Sequence, residues 1–69
     1  MTETGERGAK AYRQAYEHVR AGGAYRTKRG RLKGAMAYLR VTADPPLTPE
    51  EDAAAKAAMR EMRKRGATP

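Results

Sequence analysis

The chain has 69 residues, a formal net charge of +7 and no cysteine, which limits it to one small domain and excludes disulfides, thiolate metal sites and thiol chemistry. Its five large aliphatic residues predict a thin core completed by Tyr, Met and Ala: Val19, Leu32, Leu39, Val41 and Leu47. We therefore expect a domain that is only marginally stable as a monomer. Residues 1–10 contain no apolar stretch, so no leader or membrane span is predicted and a cytoplasmic location is expected.

Two breaks, Gly22-Gly23 and Asp44-Pro45-Pro46, divide the chain into three segments. The first predicts a helix over about 8–21, after a flexible N-terminus at residues 1–7. Apolar residues at spacings of three and four give this helix one buried face: Ala9, Tyr12, Ala15, Tyr16 and Val19.

The second segment predicts a helix over about 26–42, with a core stripe formed by Tyr25, Leu32, Ala35, Met36 and Leu39. A second stripe of small residues, Gly30, Gly34 and Ala37, would let another helix approach closely. Because the two glycines disfavour a helix, one alternative is a flexible basic arm that becomes helical only near Arg31. Another is a strand over residues 35–42, where Tyr38, Val41 and Thr42 favour β structure.

The third segment predicts a helix over 49–65. Thr48 and Glu51 form a capping box, and Pro49 occupies the position where a helix accepts proline best. The inner face consists of Ala55, Ala58, Met59 and Met62. Gly66 predicts the end of the helix, with residues 66–69 as a flexible C-terminus. The fold class predicted is all-α, as a small three-helix bundle or a helical hairpin with a basic second helix or arm.

The positive charge is concentrated in the middle of the chain. Residues 1–23 carry a net charge of +1, residues 24–43 carry +6 without any acid, and residues 44–69 are neutral. The six cations of the middle segment are the candidate phosphate-binding residues: Arg26, Lys28, Arg29, Arg31, Lys33 and Arg40. Such a segment predicts a nucleic-acid partner, DNA before RNA, and binding that weakens with salt. The alternatives are a basic surface that only aids solubility and an acidic partner protein.

Within this segment Arg29-Gly30-Arg31 resembles the core of an AT-hook, over three residues and with Leu32 where the hook has proline. The resemblance implies an extended arm in a minor groove. Tyr25 and Tyr38 flank the basic run and are candidates for stacking on exposed bases. Because the chain has few large apolar residues, core packing is predicted for Tyr12, Tyr16 and Tyr38, whereas both roles stay open for Tyr25.

Nothing in the sequence indicates an enzyme. Serine and cysteine are absent, and the single histidine, His18, is predicted to be a solvated surface residue. Helix capping explains the acidic run at residues 50–52 without a metal, and no phosphate-binding glycine motif indicates a nucleotide cofactor. The Ala, Gly and Arg bias is typical of GC-rich bacterial or phage genomes.

The sequence thus predicts a small basic nucleic-acid-binding accessory or regulatory protein without a cofactor. The alternative is a protein-interaction adaptor or inhibitor that binds a partner through its Ala/Met-rich third helix. Homo-oligomerisation is compatible with either hypothesis, and membrane-surface binding is disfavoured because Trp and Phe are absent.

Overall fold

A computed structural model describes residues 3–67 of the chain, with side-chain surroundings for residues 6–65. It contains three helices: α1 (Glu3–Gly22), α2 (Lys28–Thr42) and α3 (Pro49–Ala67). Helix α1 packs against both other helices, whereas α2 and α3 contact each other less. The prediction of an all-α three-helix bundle is confirmed. The alternative of a strand over residues 35–42 is wrong, because α2 buries Ala35, Met36 and Leu39 at helical spacing.

The core lies between the three helices and depends on tyrosine and alanine as much as on aliphatic residues. Tyr12 is completely buried, and its hydroxyl donates a 2.8 Å hydrogen bond to the carbonyl oxygen of Leu32. Burial, together with the neighbouring Tyr16, raises the pKa of Tyr12 to about 12. The predicted packing role is therefore confirmed for Tyr12 and Tyr16, both of which are buried.

Helix α1 begins at Glu3, five residues before the predicted start. The helix therefore includes residues 3–7 of the segment that the sequence placed before it, while residues 1–2 lie outside the described part. Long-range contacts hold this turn: Arg7 Nη1 lies 2.9 and 3.0 Å from the carboxylate oxygens of Glu51, and Arg7 Nη2 donates to the Pro45 carbonyl at 2.8 Å. Because these partners are 44 and 38 residues away from Arg7 in the sequence, local sequence periodicity could not indicate them.

The capping box at the start of α3 is confirmed. The Glu51 amide donates to Thr48 Oγ1 at 3.2 Å, and the Thr48 amide donates back to Glu51 Oε1 at 2.9 Å. The backbone bond from Thr48 and the bond from Arg7 lower the pKa of Glu51, against the opposing effect of burial. Helix α3 continues through Gly66, the predicted stop, to Ala67, and the prediction for residues 68–69 lies outside the described residues.

Helix α2 begins at Lys28, between the two predicted alternatives of residue 26 and a start near Arg31. Thr27 caps it, because its Oγ1 accepts a 3.0 Å bond from the Gly30 amide. The prediction of a flexible arm, and with it the extended conformation implied by the AT-hook resemblance, is wrong because residues 29–31 are helical.

The small-residue stripe of α2 accommodates a side chain instead of another helix. The ring of Tyr25 lies over Gly34, where an added Cβ would come within 2.6 Å of the ring carbon Cζ. Tyr25 is 43% exposed, so its predicted place in the core stripe is wrong. It covers the outside of α2, since the loop after Gly23, which has a φ of 69°, brings the chain back over that surface.

Candidate functional site

The limited contact between α2 and α3 leaves a groove along the side of the bundle that is remote from α1. We call this the α2–α3 groove. Its floor is apolar and is formed by Leu32, Met36, Ala37 and Met59. Its rim consists of six exposed cations, three from each helix: Arg29, Lys33, Arg40, Lys56, Arg60 and Arg63.

The groove has a strong excess of positive charge. Among the described residues, Asp52 is the carboxylate in contact with the rim of the groove. It lies 3.2 Å from Arg40 Nε and 3.7 Å from Lys56 Nζ. Six cations less this one carboxylate leave a formal charge of +5 on the groove. Cations facing each other across a shared cleft reinforce each other's potential, so this surface attracts anions.

The structure brings only half of the predicted phosphate-binding set into the groove. Arg29, Lys33 and Arg40 line it, and Arg40 is partly engaged by Asp52. Arg31 points towards α1 instead, where its Nε donates to the Tyr16 hydroxyl at 3.2 Å. The other two, Arg26 in the loop before α2 and Lys28 at its first position, lie outside the groove lining.

The three rim cations of α3 were missed by the sequence analysis. The net charge of residues 44–69 is zero, and this sum hides the separation of acids and bases along the helix. Lys56, Arg60 and Arg63 are spaced by four and three residues, so they share one helix face, whereas Glu50 and Glu51 lie in the first turn. Counting charge by helix face instead of by segment would have found them.

A second surface feature lies beside the groove, on the outside of α2. Three large hydrophobic residues are exposed there: Tyr25 by 43%, Tyr38 by 38% and Val41 by 84%. The Tyr38 ring stacks on the imidazole of His18 with centroids 4.7 Å apart and an angle of 19°. We call this surface the aromatic patch. The prediction that Tyr38 fills the core is wrong, because more than a third of its surface is exposed and its ring lies against His18 of α1. His18 is exposed, as predicted for a surface residue, and its ring also contacts Tyr38.

The acidic run at residues 50–52 does not form a metal-binding cluster. Glu51 points into the bundle towards Arg7, whereas Asp52 points along the surface towards Arg40 and Lys56. Within the described residues, no group of three or more His, Asp or Glu side chains converges on one point. In the same part of the chain, no helix combines the length and apolar character needed to cross a bilayer.

The apolar face of α3 is largely used by the bundle itself. Ala55 is fully buried and Ala58 is 6% exposed, whereas Met59 and Met62 are half-buried. The face proposed for a partner protein is thus mostly covered by α1 and α2. Of the two half-buried methionines, Met59 lines the floor of the groove.

The chain matches no protein-family model, and comparison with curated proteins and with solved structures finds no similar chain. Its function is therefore inferred from the groove and the patch.

Proposed function

We propose that the protein binds nucleic acid and holds the phosphates along the α2–α3 groove. The observation that carries the proposal is the set of six exposed cations on the two sides of one cleft, of which Asp52 contacts Arg40 and Lys56. Lysine and arginine side chains neutralise phosphates and release the condensed counterions, which makes such a surface suitable for a polyanion.

The mechanism requires no chemical step. Phosphates approach the rim under the attraction of the whole groove, and the guanidinium groups of Arg29, Arg60 and Arg63 can each donate two parallel hydrogen bonds to phosphate oxygens. Lys33 and Lys56 contribute point charges. A phosphate that approaches Arg40 competes with Asp52, whose bonds to Arg40 of 3.2 and 3.5 Å are long for a charged pair.

The test is fluorescence-anisotropy binding to a labelled oligonucleotide over a series of salt concentrations. If all six rim cations contact phosphates of a single strand, the log–log slope should be about −4. The variant Lys33→Gln/Arg60→Gln should reduce this slope by about 1.4 and weaken binding at low salt. The matched control is Lys10→Gln/Arg13→Gln, which removes the same charge from exposed positions of α1 and should leave the slope close to that of the unaltered protein. Equal effects of both double variants would mean that binding does not use the groove.

A second candidate function is the binding of an acidic amphipathic segment of a partner protein. The apolar floor of the groove favours it, because the half-buried side chain of Met59 offers the adaptable surface that such segments contact. The variant Met59→Gln separates the two functions. It keeps all rim charges, so nucleic-acid affinity should change little, whereas the affinity for an apolar helix face should fall.

A further inference from the structure

The aromatic patch adjoins the α2–α3 groove. Ala37 belongs to both surfaces: it lines the groove beside Lys33 and Arg40, and it lines the patch beside Tyr38 and Val41. A nucleic-acid strand whose phosphates follow the cations of α2 would therefore lie close to the exposed tyrosine rings on the neighbouring side of the same helix.

Both tyrosines of the patch are held in position before any ligand binds. Tyr38 is stacked on His18, and Tyr25 rests on α2 where Gly30 and Gly34 leave room for its ring. Each residue still exposes about two-fifths of its surface. A ring that is already ordered loses little conformational entropy when a ligand stacks on it.

We infer that the patch takes unpaired nucleobases, so that the ligand class is single-stranded nucleic acid with phosphates on the rim of α2 and bases stacked on Tyr38 and Tyr25. This inference rests on the proposed function. It names the form of nucleic acid, because paired bases in a duplex are covered by their neighbours and present no ring face to the patch. Aromatic side chains beside a cationic groove are the arrangement that binds single strands with little sequence preference.

A second copy of the chain is the alternative occupant of this patch. Charge disfavours it, because a symmetric contact through α2 would bring Lys33 and Arg40 of both copies towards each other. Nucleic acid supplies the opposite charge along with its apolar ring faces.

The experiment compares three labelled probes of 12 nucleotides over the same series of salt concentrations: an oligothymidine strand, an abasic strand with the same phosphates, and a duplex. We expect the strand with bases to bind more tightly than the abasic strand by about 5- to 150-fold for each base stacked. Tyr38→Ala should reduce this difference by the factor of one stacked base, about 5- to 150-fold, without changing the salt slope. Tyr38→Phe should preserve the difference because the ring is retained.

Each outcome decides a different point. If oligothymidine and the abasic strand bind equally, or if Tyr38→Ala binds as the unaltered protein does, base stacking is refuted, while a steep salt slope would still support phosphate binding in the groove. If no probe binds even at low salt, the proposed function itself fails. Sedimentation of the free protein completes the set: a dimer that Tyr38→Ala dissociates would assign the patch to a second copy. Circular dichroism of Tyr38→Ala checks that this exposed substitution leaves the bundle folded.

Discussion

Glu51 links the start of α3 to the start of α1 and is the buried charged side chain of the described residues. One of its carboxylate oxygens accepts from both the Thr48 amide and Arg7, and the other also lies within hydrogen-bond distance of Arg7. A carboxylate with these donors is satisfied in its charged form, which is why its pKa is lowered from the ordinary value of 4.5. Loss of this charge would leave Arg7 without its counter-charge and weaken the contact between the two helices.

Acid should therefore destabilise the fold through Glu51. The carboxylate is more acidic in the folded state than in the unfolded state. Its contribution to the free energy of unfolding is therefore complete above pH 4.5 and is lost as the pH falls through the lower pKa of the folded state. We expect Glu51→Gln to lower the urea midpoint at pH 7 and to flatten the loss of stability as the pH falls below 4.5. Urea unfolding at several pH values measures both effects.

The control for this prediction is Glu50→Gln, which removes a carboxylate from an exposed position in the same turn. It should retain the acid sensitivity of the unaltered protein. If Glu51→Gln retained it too, the lowered pKa of Glu51 would not be linked to folding.

At the scale of single residues, local rules predict only what lies nearby in the sequence. Thr48 and Glu51 of the capping box are three residues apart in the sequence, and the sequence predicted this pair correctly. The pair of Glu51 with Arg7 spans 44 residues, and no local pattern contains it. Tyr38 was assigned to the core from composition alone, although its exposure depends on the way that α2 is rotated against α1.

At the scale of helices, the contact of α1 with α3 depends on one glycine. A Cβ added to Gly8 would lie 2.7 Å from the carbonyl carbon of Glu51 and 2.8 Å from its Cα. Both are backbone atoms at the rigid first turn of α3, so the helices could accommodate a methyl group only by moving apart. The absence of a side chain at Gly8 is what allows Arg7 to reach Glu51.

We expect Gly8→Ala to destabilise the protein by about 1–3 kcal/mol through overpacking, despite the higher helix propensity of alanine. Gly22→Ala is the matched control, because it lies near the other end of α1 with no atom within 4 Å of the added Cβ. It should be neutral or stabilising by up to about 1 kcal/mol. Thermal unfolding of the two variants checks the prediction, and equal midpoints would show that the helices do not approach closely at Gly8.

The boundaries of α2 show why glycine is difficult to interpret in a sequence. Gly30 and Gly34 indicated a weak or late helix, but Thr27 caps the helix ahead of them. At Gly34 the three atoms nearest to an added Cβ all belong to the side chain of Tyr25, so the role of this glycine is to leave room for that ring. Helix periodicity did predict the core stripe from Leu32 to Leu39. Buried residues of a helix recur every three to four positions, whichever neighbouring helix packs against them.

At the scale of the whole molecule, the order of packing positions the charge. Helix α1 contacts both other helices, so α2 and α3 are left with the α2–α3 groove between them. The cations that α2 contributes to this groove were predicted from the sequence, because residues 24–43 contain no acid. The half of the groove that belongs to α3 depended on the tertiary arrangement, which turns Lys56, Arg60 and Arg63 towards Lys33.

This concentration of charge predicts opposite effects of salt on the free and the bound protein. In the free protein the six rim cations repel each other across the groove, and salt screens this repulsion because the Debye length falls from about 10 Å at 0.1 M to about 3 Å at 1 M. Added NaCl should therefore raise the thermal midpoint. A single-stranded oligonucleotide at about 100 times its dissociation constant should stabilise the fold by about 2.7 kcal/mol at low salt, and for a domain of this size that raises the midpoint by about 10–20 °C.

For the complex, the same addition of NaCl should lower the midpoint, because the ligand dissociates as counterions compete for the phosphates. Thermal scans with and without oligonucleotide at four salt concentrations should thus converge as salt rises, the two curves approaching from opposite directions. In Lys33→Gln/Arg60→Gln both slopes should be smaller, since the repulsion and the proposed phosphate contacts involve the same side chains. If salt instead lowered the midpoint of the free protein, attractive pairs such as Arg40 with Asp52 would outweigh the repulsion among the rim cations. The groove would then not be a surface whose charge repulsion a bound polyanion reduces.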